Sequence, residues 1–72
     1  MKLRIALDTM TDVENFVKAV SQVDAPVYLN DGVHQQVCAT SLLGAILAKM
    51  EWSEIYCQCE LDVSSKILPW II

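Results

Sequence analysis

Few side chains in this chain have the chemistry of a catalyst or a metal ligand. There is one histidine, His34, and there are three cysteines, Cys38, Cys57 and Cys59. Cys57 and Cys59 stand two apart in EIYCQCEL, a strand-like stretch that sends both to one face together with Ile55 and Leu61. Same-face neighbours on one strand rarely bridge, an odd cysteine count builds no disulfide framework, and tetrahedral zinc needs further ligands. His34 and Cys38 stand in no zinc-ligand spacing relative to that pair. Buried free thiols in a reducing compartment are expected, with no metal and no cofactor. Asp8 as a phosphate acceptor would need a bound Mg²⁺ and more carboxylates than its neighbourhood holds. Ser41 stands apart because it precedes the apolar run LLGAILA, where a helix should begin. A phosphate on it would meet free N–H groups at the positive helix end. Unmodified, Ser41 is a plain N-cap that contributes about 1 kcal/mol.

Composition narrows the classes. Seventy-two residues allow one domain with one core, burying roughly 60% of its unfolded surface. The hydrophobic share of 54% and mean hydropathy of +0.38 are high for so small a domain. The excess points to apolar surface left for a protein partner or a second copy. A net charge of −4, with only five scattered basic residues, excludes a phosphate-tracking surface, so nucleic acid is not an expected partner. No stretch approaches the ~20 apolar residues that span a bilayer, so no membrane association is expected. The start MKLRIALDTM has too short an apolar run for a signal peptide, and a soluble, cytoplasmic protein is expected.

The elements follow from period changes. KLRIAL (2–7) alternates, placing Leu3, Ile5 and Leu7 on one strand face. TDVENFVKAVSQV (11–23) switches to helical spacing of Val13, Phe16, Val17 and Val20, with Thr11 and Glu14 as a capping box. APVYLN (25–30) and VHQQVCA (33–39) are strands joined by a tight turn at Asn30-Asp31-Gly32. Thr40 or Ser41 caps a second helix that is apolar all round, and EIYCQCEL (54–61) is the fourth strand. Pro69 argues against a full helix in the apolar tail, residues 62–72. The order β-α-β-β-α-β predicts an α+β domain with two helices on one face of a four-stranded antiparallel sheet. A ferredoxin-like topology and that of the phosphocarrier HPr share this order.

The second helix favours one of them. CATSLLGAIL resembles the segment of histidine-containing phosphocarrier (HPr) proteins that runs Lys-Ser-(Ile/Leu)-(Met/Leu)-Gly-Val, with Thr40 to Ala45 as the match. ENFVKAVSQV is similar to the first HPr helix, and the resemblance covers residues 2 to about 61. It implies an open-faced β-sandwich of 1–72 whose third helix is missing or vestigial, and a bacterial protein of the sugar phosphotransferase system. In that family a histidine before the first helix carries phosphate, beside an arginine and a proline. Matched on Phe16, the histidine position falls at about Thr9, the arginine at about Thr11 and the proline at about Asp12. No imidazole or guanidinium stands there, so phosphohistidine transfer is expected to be lost and no enzymatic activity is expected.

What the resemblance leaves is a binding or regulatory module. Ser41 matches the serine phosphorylated in many Gram-positive members, although Thr40 replaces the usual lysine. Leu42, Leu43 and Ile46 match the family's apolar partner surface, with Ala45 and Ala48 turned toward the sheet. Either the tail segment Ile67–Ile72 folds back over those leucines as a lid, or they meet a partner or a second copy. The alternatives in function are a ferredoxin-like, ACT-type small-molecule regulatory domain and an active phosphocarrier. Gly32 and Gly44 are the only glycines, which disfavours the first, and the empty histidine position disfavours the second.

Overall fold

A computed structural model describes residues 1–72. The elements run β1 (Lys2–Ile5), α1 (Met10–Val20), β2 (Val27–Asn30), β3 (Gln36–Cys38), α2 (Leu42–Glu51), β4 (Ile55–Cys59) and a short 3₁₀ turn (Leu68–Trp70). The chain is α+β, with two helices and a four-stranded antiparallel sheet of order β1-β4-β2-β3. The last strand therefore lies between the first two.

Strand alternation sorts the side chains. Ile5, Val27, Leu29, Ile55, Cys57 and Cys59 are buried on one sheet face. Lys2, Arg4, Tyr28, Asn30, Gln36, Cys38, Tyr56 and Gln58 occupy the other, which lies open. Against the buried face pack Val13, Phe16 and Val20 of α1 and Ala45 and Ala48 of α2, all fully enclosed. The two helices thus use the core differently. One inserts a large aromatic, while the other presents a strip of alanines and approaches the sheet closely. Gly44 shows how close: a Cβ there would stand 3.2 Å from the Val37 Cβ and 3.3 Å from the Cys38 carbonyl oxygen.

Several expected boundaries move. The helix α1 begins one residue before Thr11, with Thr9 as N-cap: its hydroxyl accepts from the Asp12 N–H, and the Asp12 carboxylate accepts from the Thr9 N–H, both at 3.1 Å. This Thr-x-x-Asp box displaces the expected Thr11–Glu14 pair, because Asp12 also accepts from the Trp70 indole N–H at 3.4 Å. The turn after β2 is a longer loop, since one Asp31 carboxylate oxygen accepts from the N–H groups of Val33, His34 and Gln35. Those bonds replace ladder pairing, so β3 shortens to three residues. The strand β4 stops at Cys59, leaving Leu61 half exposed and Val63 buried instead.

The tail makes a fifth, fragmentary strand. Ile71 bridges to Ile5, the Ala6 N–H donates to the Trp70 carbonyl at 2.8 Å, and the Ile72 N–H donates to the Arg4 carbonyl at 3.1 Å. Ile67 is fully buried, and Trp70 meets Phe16 edge-on with ring centroids 5.5 Å apart. The tail covers β1 and α1, so it is not a lid over α2: Leu43 is 80% exposed.

Candidate functional site

The start of α1 is closed. A helix N-terminus presents free N–H groups and attracts anions, but here Asp12 already supplies a carboxylate to that end. Partial burial pushes its carboxyl upward, yet the hydrogen bonds from Thr9 and Trp70 outweigh that and hold it below its ordinary value of 3.8. Thr9 and Thr11, the positions matched to a histidine and an arginine, are both exposed, and only Thr9 is engaged, in the cap. The Lys49 ammonium of α2 donates to the Asp8 carbonyl at 3.0 Å, tying the loop before α1 to the second helix.

The start of α2 is open. Ser41 has extended backbone, its hydroxyl accepts from the Gly44 N–H at 3.1 Å, and the first turn holds no acidic residue. Ser41 is exposed, so its hydroxyl is accessible at a helix end with no carboxylate of its own. Beyond it, Ala45 and Ala48 face inward, which turns the large residues outward. Leu43, Leu47 and Met50 stand at i, i+4 and i+7 and form one exposed stripe. Leu42 borders it, while Ile46 is partly buried against the core. Of the three expected surface residues, Leu42 and Leu43 are exposed and Ile46 forms the floor. Leu47 and Met50 belong to the same surface and were legible from the helical spacing alone.

The remaining reactive side chains stay apart. His34 lies exposed in the loop before β3 rather than in the strand. Burial pushes the Cys57 thiol up to about 11, with Cys59 adding to the shift, while Cys38 lies exposed at the sheet edge. No three His, Cys, Asp or Glu side chains cluster to hold a metal ion. On the open sheet face Arg4 approaches Glu54 at 3.8 Å, and Tyr56 donates to Glu54 at 3.0 Å, which raises the phenol above its ordinary 10.0. No helix is long and apolar enough to cross a membrane.

Comparison with known protein families, with curated protein sequences and with solved structures gives no match.

Proposed function

We propose that the chain is an HPr-like binding or regulatory module that has lost phosphohistidine transfer and works through the outer face of its second helix. The observation that carries this reading is the strand order β1-β4-β2-β3. It is the order expected of the phosphocarrier fold, in which the fourth strand lies between the first two. An ACT-type domain would arrange the same elements around a different central pair. The start of α1 supports the loss of transfer. Threonine stands at the histidine position, and the Asp12 carboxylate already sits at the helix end where a phosphoryl group would need positive potential. The working surface is then Leu42, Leu43 and Ile46, extended by Leu47 and Met50, with a protein as partner and Ser41 as a regulatory phosphosite beside it.

Two measurements test this. Incubation with phosphoenolpyruvate and enzyme I, beside an active phosphocarrier as control, should leave the chain without an acid-labile phosphoryl adduct. An adduct would overturn the loss of transfer. Leu43→Asp should change unfolding free energy by no more than about 0.5 kcal/mol, as expected of an exposed position. A loss of several times that amount would make Leu43 a structural residue and end the surface reading.

A further inference from the structure

The two edges of the sheet are finished differently. At β1 the tail covers one end, where the Arg4 carbonyl accepts from Ile72 and the Ala6 N–H donates to Trp70, and the charged side chains of Lys2 and Arg4 flank the rest. At β3 neither a segment nor a charge covers the outward main-chain groups. Val37 pairs with Leu29, flanked by the Asp31–Gln35 and Ala39–Val27 hydrogen bonds, so Gln36 and Cys38 direct their main-chain groups away from β2. The Cys38 carbonyl folds back to accept from the Ser41 N–H at 3.2 Å. The Gln36 N–H, the Gln36 carbonyl and the Cys38 N–H are left unpaired at the edge.

Folded proteins usually guard such an edge with charge, proline or a covering segment. Apart from its shortness, three residues, this edge has none of these. Residues 32–48 contain no Asp, Glu, Lys or Arg, although the whole chain carries 9 acidic and 5 basic residues. That uncharged span builds both β3 and most of α2, which pack together through Gly44 and Val37. Leu47 stands one helical turn beyond Gly44, so Leu43 and Leu47 extend the edge into an apolar flank. A copy of this chain brings a net charge of −4, and two copies repel wherever their acidic residues approach. The β3–α2 side lets two copies meet without placing like charges in contact, and depletion of charge is the compositional mark of an interface centre.

From this edge, and resting on the reading of the α2 outer face as a binding surface, we infer that the partner is a second copy of the chain. Two β3 strands pair antiparallel across a two-fold axis, joining the sheets into one of eight strands. The isologous geometry suits this edge, because Gln36 of one copy can exchange main-chain bonds with Cys38 of the other, whose carbonyl keeps a second lone pair beside the one that takes the Ser41 N–H. With the axis normal to the sheet, both α2 helices fall on the same side, and Leu43 and Leu47 of one copy close against those of the other.

Sedimentation and amide hydrogen exchange on the unaltered chain test the inference. The mass should rise from one to two copies with concentration, and exchange at the Gln36 and Cys38 amides should slow at least about tenfold between dilute and concentrated samples. Gln36→Pro removes an outward donor without touching a β2–β3 ladder bond, and it should hold the chain monomeric. The exchange data decide the matter even if that variant fails to fold. A monomer at every concentration overturns the inference but leaves the α2 surface free for another partner. Dimers whose Gln36 and Cys38 amides exchange as freely as in dilute samples overturn the strand pairing alone. Failure of the surface reading itself shows separately, as unfolding by Leu43→Asp in samples dilute enough to be monomeric.

Discussion

The two helices divide the work of the molecule. The first is sealed: its start is held by Thr9, Asp12 and Trp70, and Phe16 fills the core. The second is inverted, with alanines inside and leucines and a methionine outside. Burial of a helix is ordinarily driven by its largest apolar side chains. Here α2 is seated by close approach instead, and its large side chains are left over. A helix can therefore be essential to the fold through small residues while offering its hydrophobic area to something else.

The sharpest test of that division lies in the core. Phe16→Ala should cost about 3–5 kcal/mol of unfolding free energy, read by denaturant titration, because it removes a fully enclosed aromatic and its Trp70 contact. Ala48→Leu should cost about 1–3 kcal/mol by overpacking, well above the few tenths by which leucine trails alanine in helix propensity. A neutral Ala48→Leu would mean that α2 is not seated by close approach, and the contrast with α1 would collapse.

The helix starts give the next largest effect. Thr9→Ala should cost about 1–2 kcal/mol and Ser41→Ala no more than about 1 kcal/mol, since only Thr9 belongs to a reciprocal box. Equal losses in thermal unfolding would erase the distinction between a sealed and an open start.

The smallest expected effect is a change in acid sensitivity. Asp12 has its folded-state pKa below the ordinary value of 3.8, so the unfolded chain takes up that proton first. Its contribution is complete above the unfolded value and is lost as the pH falls through the folded one. Asp12→Asn should therefore flatten the acid limb of a stability–pH profile. Asp31, held low by the N–H groups of Val33, Gln35 and His34 despite some burial, should act in the same direction.

Much of this was legible from residue types alone. The six regular elements, the inward valines and Phe16 of α1 and a cap at Thr40 or Ser41 follow from period and propensity, whereas the inward alanines of α2 came from the resemblance. The failures have a common physical origin in contacts distant along the chain. Two Thr-x-x-acid boxes overlap at residues 9–14, and an indole 58 positions away from Asp12 is part of what favours the earlier one. The tail is apolar enough to cover either helix, and the Phe16–Trp70 contact takes it to α1. Asp31 reads as a tight-turn residue, yet its carboxylate holds three loop N–H groups and so lengthens the connection. At the candidate site the sequence supplied Leu42, Leu43 and Ile46 by resemblance, whereas Leu47 and Met50 needed only the helical repeat.

The placement of β1 has a consequence for how the protein comes into being. Its inner side pairs with residues 55–59 and its outer side with residues 70–72, so the earliest strand has no partner among the residues that directly follow it. Stable pairing of strands so far apart in sequence forms more slowly than local helices do. During synthesis α1 and the β2–β3 hairpin can assemble early, but β1 must wait, unpaired, until residues 55–72 have cleared the ribosome exit. Until then the apolar side of β1, Leu3 and Ile5, has no strand beside it.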